Sequence, residues 1–255
     1  MDILNSNINS HQPTAYDYVF PVFGGILTKE GHFNPKNIFG TAFYIENNFF
    51  ITCAHTIKKA EEQEIVALGF QNEQGQLSFS KIRDSEVFED NDSGILVASI
   101  ERAKSYPWLS QKLAMLNNVM SVGYAFGFDN KHSEVLIRAF KGHITMVGYN
   151  HNFPKTPAHY ELSYMCPRGI SGAPLLFKHK NQPYICGFTV GNEQTSMIVW
   201  SSEDIEEETN SKTVYQREES FHRGIAMQSK SFFELESKLL GMKIIDYLKS
   251  TDLLK

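Results

Sequence analysis

Three short segments hold residue types that together can do nucleophilic chemistry. Ile51-Thr52-Cys53-Ala54-His55 ends an apolar run in a histidine. Asp90-Asn91-Asp92-Ser93-Gly94-Ile95-Leu96-Val97 sets aspartates before an apolar run, and Gly169-Ile170-Ser171-Gly172-Ala173-Pro174-Leu175 sets a serine between glycines. Each alone has an ordinary structural role: a surface or core histidine, a strand cap, a tight turn. Combined, they supply what serine lacks. Serine is a weak nucleophile that needs an adjacent base. Histidine, as a residue type, titrates where such a base is useful. A buried carboxylate fixes the imidazole tautomer and stabilises the imidazolium that forms. Glycines let the backbone turn its N–H groups toward a developing oxyanion. The candidate catalytic residues are therefore His55, Asp92 and Ser171, with Asp90 open as the alternative carboxylate, and the N–H groups of Gly169 and Ser171 are the candidate oxyanion donors.

These residues need strands to hold them. Tyr18–Phe23, Thr41–Ile45 and Phe49–Thr52 are strand-like, the last two joined across Glu46-Asn47-Asn48 as a hairpin. Further apolar runs lie at 64–70, 95–100, 120–125, 134–140, 143–149, 160–164, 174–177, 184–190 and 197–200. Turn residues separate them at Asn72-Glu73-Gln74-Gly75, Gly127-Phe128-Asp129-Asn130 and His179-Lys180-Asn181-Gln182. Many short strands at this spacing predict a sandwich or barrel. Helix is expected over Ala54–Gln63 and in an amphipathic tail from Ser231, as N-cap with Glu234 completing a capping box, to Ser250. Ser201–Glu219, rich in glutamate, is expected to be a solvated loop.

Composition excludes several classes. The chain has 255 residues, 42% of them hydrophobic and 21% charged, ordinary for a globular protein. A net charge of −5 argues against general nucleic-acid or anionic-membrane binding. No apolar run is long enough to span a bilayer. The N-terminus, Met1-Asp2-Ile3-Leu4, lacks the pattern of a signal peptide. Three cysteines, Cys53, Cys166 and Cys186, form no paired spacing, which points to a reducing, cytoplasmic setting. The scattered histidines, including His143, His151 and His159, suggest surface positions and no metal site. No cofactor is implied.

Thr52-Cys53-Ala54-His55, Asp92 with Ile95-Leu96, and Gly169–Leu175 resemble the ordered motifs of the chymotrypsin-fold, trypsin-like serine peptidases. Ile185-Cys186-Gly187-Phe188-Thr189 and Gly224-Ile225-Ala226-Met227 resemble the strands of that family's primary specificity pocket. The resemblance covers roughly residues 18–250. It implies an all-β fold of two six-stranded antiparallel β-barrels with a C-terminal α-helix: an N-terminal arm over 1–17, a first barrel over 18–110, a second over 111–230 carrying the acidic insert 201–219, and a helix over 231–255. It also implies a substrate pocket of Met165, Thr189, Val190, Gly191, Gly224 and Ala226.

Departures refine the expectation. Secreted members carry an aspartate before the serine that pairs with the N-terminus released on activation; Ile170 stands here. The chain is thus nearer to non-secreted bacterial Deg-like domains without a PDZ domain, and similar stand-alone domains occur in bacterial defence. Met165, where relatives that prefer Lys or Arg have an aspartate, predicts an uncharged pocket. The expected activity is endopeptidase action on protein or peptide, with a regulatory protein partner or conformational change gating an imperfectly ordered loop at Arg168-Gly169-Ile170. Two alternatives remain: a binding module on the same fold, and an α/β-hydrolase esterase, whose nucleophile motif must lead into a helix.

Overall fold

The structure, a computed structural model, describes residues 14–72, 74–125, 135–151, 157–206 and 211–255. The arm expected over 1–17 thus falls largely outside the described residues, as does the turn at 127–130. The apolar runs of the N-terminal half become β1 (Val19–Leu27), β2 (Phe33–Tyr44), β3 (Phe49–Thr52), β4 (Ile65–Gln71), β5 (Leu77–Lys81), β6 (Asp84–Phe88) and β7 (Ser93–Val97), with α1 (Ala54–Glu61) between β3 and β4. They form one antiparallel sheet in the order β5-β4-β1-β2-β3-β7-β6. Seven strands stand where six were expected because one strand is broken. β5 ends on β4, with Lys81 opposite Ala67. After two intervening residues β6 begins at the other end of the sheet, with Asp84 opposite Val97. Ile82 and Arg83 bridge the two ends, donating N–H to Val66 (3.0 Å) and Val97 (2.8 Å). The sheet therefore wraps around its own core of Phe20, Val22, Phe50, Ile57, Leu68 and Leu96.

The second half forms a closed six-stranded barrel, β10-β13-β12-β11-β8-β9. Its strands are β8 (Asn118–Gly123), β9 (Arg138–Tyr149), β10 (Ala158–Leu162), β11 (Pro174–His179), β12 (Gln182–Glu206) and β13 (Ser211–Gln228). Ser171 therefore leads into strand β11, not a helix, which removes the α/β-hydrolase alternative.

Trp108, in the connection between the two sheets, is the largest fully buried side chain. It shares one core with Phe43 and Ile51 from the first sheet and Phe188 and Met227 from the barrel. Its ring stacks on Phe232, and its backbone brackets the C-terminus through Trp108 N–H to Leu253 O (2.7 Å) and Lys255 N–H to Trp108 O (2.9 Å). Trp108→Ala is expected to cost about 3–5 kcal/mol, the usual range for deleting a buried tryptophan. Urea unfolding of the two chains would measure it; a midpoint unchanged from wild type would contradict this role.

Two expectations need correction. The tail is not one helix. It comprises α2 (Ser229–Phe233), a two-stranded hairpin of β14 (Glu236–Ser237) and β15 (Met242–Lys243), and α3 (Ile244–Ser250). Gln228, not Ser231, is the N-cap. The Glu86 carboxylate from β6 accepts the N–H groups of Lys238 (2.9 Å) and Leu239 (3.3 Å), which diverts them from a helical ladder, and Gly241 turns the chain back. The acidic insert, likewise, is not a loop. β12 and β13 remain paired from Gly187–Gln228 out to Glu206–Ser211, so residues 201–206 and 211–219 belong to a long β-ribbon. No helix among the described residues is long and apolar enough to cross a membrane.

Candidate active site

The histidine is placed by a strand that runs into a helix. β3 ends at Thr52, Cys53 is the extended N-cap of α1, and His55 is the second residue of that helix. The first turn of a helix leaves N–H groups without partners. One of them, His55 N–H, is accepted by Asp92 Oδ1 at 3.0 Å. The other oxygen of the same carboxylate, Oδ2, lies 2.7 Å from His55 Nδ1. One aspartate thus caps the helix and orients the ring, and fixes Nδ1 as the protonated nitrogen. The pair is partly accessible: the imidazole is 33% exposed and the carboxylate 11%.

Asp92 reaches this position because its backbone is left-handed, φ 49°, directly after a 3₁₀ turn over Glu89–Asn91 and before β7. Aspartate is one of the few residues that tolerate this conformation. Ser93 Oγ bonds Asn91 Oδ1 (2.7 Å), and Asn91 Nδ2 bonds Ser231 O (2.9 Å), so the turn is tied to α2. The structure brings Asp92, not Asp90, to His55.

The serine loop is held from both sheets. Ile170 N–H bonds back to Pro167 O (3.1 Å), with Gly169 at φ +96°. A positive φ at the third position marks a type II turn and calls for glycine. Ile170 O accepts Thr189 Oγ1 (2.6 Å) and Ala173 N–H (2.9 Å). In a trans peptide the N–H opposes the C=O, so Ser171 N–H points away from Thr189 and Ala173. Neither Gly169 N–H nor Ser171 N–H has an acceptor among the described residues. The turn is formed in the single chain.

Thr41, on β2, is the residue that sequence reasoning missed. It is fully buried. Its N–H donates to Ser171 O (2.8 Å), its Oγ1 to Gly169 O (2.9 Å), and its Oγ1 accepts Tyr124 N–H (3.0 Å). One threonine of the first sheet therefore clamps both ends of the Gly169–Ser171 segment. Its motif, Gly40-Thr41-Ala42-Phe43, carries no signal beyond that of a strand. A Cβ at Gly172 (φ +83°) would lie 2.3 Å from Thr52 Oγ1 and 3.0 Å from Cys53 N, so this chain segment abuts the one that leads into His55. Ser171 Oγ donates to Val190 O at 3.2 Å and makes no hydrogen bond to His55.

The expected pocket residues separate into two groups. Val190 and Gly191 lie beside Ser171, where β12 carries an irregularity between Thr189 and Gly191. Gly224 N–H donates to Tyr164 O (2.8 Å) on the opposite wall. Thr189 and Ala226 are fully buried, and the Thr189 hydroxyl is spent on Ile170 O, so neither presents a side chain to the cleft. Met165 is exposed rather than at a pocket floor. Asn192, not singled out in the sequence, bridges the two walls, with Cys166 N–H to Asn192 Oδ1 at 2.6 Å and Asn192 Nδ2 to Cys166 O at 2.7 Å.

Cys53, His55 and Asp92 offer ligand atoms within 4.8 Å of one another, a spacing compatible with a metal ion. Here those atoms are engaged otherwise: both carboxylate oxygens accept from His55, and the Cys53 thiol donates to Thr189 O (3.3 Å). Burial, and secondarily the Asp92 charge, pushes the Cys53 thiol well up, which keeps it protonated. All three cysteines are free and buried. His159 is not on the surface as expected; it is buried on β10, where desolvation lowers its pKa.

Two antiparallel β-units with the histidine and aspartate on the first and the serine loop on the second are the architecture of the chymotrypsin-like, trypsin-type serine protease fold, and the chain has that fold. Among solved structures it is similar to the HtrA-type protease AlgW with a decapeptide, at 11% identity and TM-score 0.55, over 94% of this chain and 74% of that one. It is also similar to the MamO protease domain from Magnetospirillum magneticum (12%, TM-score 0.54, 84% of this chain and 93% of that one). A third similar structure is the active form of the Rv3671c protease from M. tuberculosis (13%, TM-score 0.53, 85% and 78%). Of another AlgW structure, with a tripeptide, the chain spans 57% of the length. No protein family and no curated protein matches the sequence.

Proposed function

We propose that the chain is a serine endopeptidase that hydrolyses protein or peptide substrates through an acyl-enzyme intermediate. Ser171 is the nucleophile, His55 the general base and Asp92 its orienter; Gly169 and Ser171 N–H stabilise the oxyanion. The observation that supports this best is the two-point Asp92–His55 bond beside a serine loop with two unpaired N–H groups. In this reading Oγ leaves Val190 O by rotation about the Ser171 Cα–Cβ bond and takes His55 Nε2 as its acceptor. Oγ then attacks the substrate carbonyl as its proton passes to Nε2, and the imidazolium returns that proton to the departing amine. Water repeats the sequence and releases the acid. Gating by a protein partner or a conformational change, as expected from the sequence, would act on the Arg168-Gly169-Ile170 turn or on this rotation.

The Ser171–Val190 bond also favours a second reading, a protein-binding module that never performs the rotation. A fluorophosphonate probe separates the two. Labelling of the folded wild type and none of Ser171→Ala is expected for the peptidase; an unlabelled wild type leaves only the binding module.

Specificity follows from the walls. The residues around the slot, Cys166, Val190, Gly191, Asn192 and Gly224, carry no charge, and a buried cation without a partner is costly. Asn192 narrows the slot by tying its walls together. A peptide-library profile is expected to favour small apolar P1 residues over Lys and Arg. Asn192→Ala should raise kcat/KM for P1 Leu relative to P1 Ala about tenfold, the scale on which pocket size discriminates. A profile led by P1 Arg would overturn the uncharged pocket.

A further inference from the structure

The β12–β13 ribbon leaves the barrel at the cleft. β12 pairs with β11 only as far as Phe188, opposite Pro174, and β13 pairs with β10 only over Gly224–Met227. Beyond Asn192 and Gly224 the two strands pair only with each other, to Glu206 and Ser211. The outer edge of β12 is thus unpaired from Val190, beside Ser171, to Glu206, a run of about 45 Å from Glu193 onward.

The register makes the ribbon two-faced. Opposed residues share a face. Pairs Thr195–Phe221, Met197–Glu219, Trp200–Arg217 and Ser202–Tyr215 put Phe221, Met197, Trp200 and Tyr215 on one face. The other carries Gln194–His222, Ser196–Ser220, Ile198–Glu218 and Ser201–Gln216 and is mostly polar. The four apolar side chains are all exposed, Trp200 at 54%. A lone two-stranded ribbon with a bare apolar face is marginal in water.

Charge sets the ligand. The cations Lys212, Arg217 and Arg223 are each paired, with Glu203, Glu219 and Glu161. Glu193 faces Arg223 across the ribbon, while Glu218 has no ion pair among the described residues. The sequence from Glu193 to Arg223 holds eight acidic residues against three basic ones, so the segment is acidic.

We infer that this ribbon is an extended substrate-binding site, in which a basic, apolar-alternating polypeptide segment adds as a third strand along the free edge of β12. The inference rests on the peptidase reading above. β12 runs outward from Ser171, and every strand-to-strand ladder in both sheets is antiparallel, the parallel contacts among the described residues being the isolated bridges of Trp108 to Ile185 and Leu254. A strand added antiparallel runs inward, so the segment on the ribbon lies on the N-terminal side of the bond cleaved. Its backbone satisfies the unpaired edge, alternate apolar side chains extend the Met197–Trp200 face, and its Lys or Arg residues, on the other face, lie on the side of Glu218 and are favoured by the acidic excess of the ribbon.

The test uses the full chain as Ser171→Ala and three fluorescein-labelled peptides. The first is a six-residue core. The second is the core preceded by twelve residues alternating Lys with Leu or Tyr, and the third has Glu in place of each Lys. The second should bind at least tenfold more tightly than the other two by anisotropy, and salt should weaken it. It should also shift Trp emission, which reports Trp200 because the other tryptophan, Trp108, is buried. Trp200→Ser with Tyr215→Ser, two exposed positions that leave the barrel untouched, should abolish the gain. Equal binding of the first and second peptides, or of the second and third, overturns the inference. So does a sedimenting dimer that those substitutions dissociate, since the occupant is then a second copy. Fluorophosphonate labelling of the wild type is read separately: a labelled enzyme without the gain sinks the ribbon site alone, and an unlabelled one sinks the peptidase.

Discussion

Replacing Ser171 by alanine is expected to lower kcat by about 10⁵–10⁶-fold, the scale of losing the nucleophile of a cooperating triad. The fold should not notice. The only hydrogen bond lost is that of Oγ to Val190 O, on a half-buried side chain, while the loop is held by main-chain groups: Ser171 O on Thr41 N–H and Ile170 O on Thr189 and Ala173. The oxyanion donors also belong to the main chain and survive the substitution. A residual rate over water of about 10³–10⁴-fold is therefore expected from these donors and from binding. The measurement is single-turnover cleavage of the best library peptide, with thermal unfolding as a control. Wild-type turnover in Ser171→Ala would end the assignment, and a collapse in melting temperature would mean that the loop is built differently from the hydrogen bonds described above.

The motifs around this serine were legible because they are local. Gly169 and Gly172 are needed within a residue or two of Ser171, and His55 follows its strand directly. The choice between Asp90 and Asp92 was not legible, since both precede β7; the left-handed backbone at Asp92 decides which carboxylate faces α1. Thr41 was invisible for another reason. Its partners Gly169 and Ser171 lie far along the chain, and a threonine in a strand has no pattern that announces such contacts. The tail was misread because apolar residues from Phe232 to Leu248 recur near helical spacing, while the Glu86 carboxylate that captures Lys238 and Leu239 comes from a distant strand. The ribbon is hidden in the sequence because its glutamate density carries the signature of solvated coil. Two paired strands outside a core need no clean polar–apolar alternation to remain strands, and the irregularity between Ile198 and Trp200 breaks what alternation there is. Asn192 was passed over because its two bonds to Cys166 depend on how the cleft walls meet.

Asp92→Asn is expected to lower kcat by about 10⁴-fold, close to 5 kcal/mol of transition-state stabilisation. Asparagine is the informative substitution because it keeps the side-chain shape and also tolerates a left-handed backbone, so the φ of 49° remains accessible. What changes is hydrogen-bond polarity. The carboxylate accepts two N–H groups of His55, one from the main chain and one from Nδ1. An amide has one accepting oxygen and one donating nitrogen. If the oxygen keeps the main-chain N–H, the NH₂ group faces Nδ1 and must donate to it. The ring proton then moves to Nε2, and the nitrogen that should take the proton from Ser171 can no longer accept it. If the amide is reversed, its NH₂ opposes the helix N–H and a first-turn donor of α1 is left unpaired. The first arrangement keeps the helix cap and disables the base while Ser171, the oxyanion turn and the pocket are intact, so KM should change much less than kcat. Asp90→Asn should leave kcat within about threefold, because Asp92 already accepts both N–H groups of His55. Steady-state kinetics on one substrate for wild type, Asp92→Asn and Asp90→Asn decide it. Equal losses in the two variants would show an electrostatic effect of the acidic turn rather than orientation of His55 by one carboxylate. A large loss confined to Asp90→Asn would assign the role to the other aspartate and require the 3₁₀ turn before β7 to rearrange during catalysis.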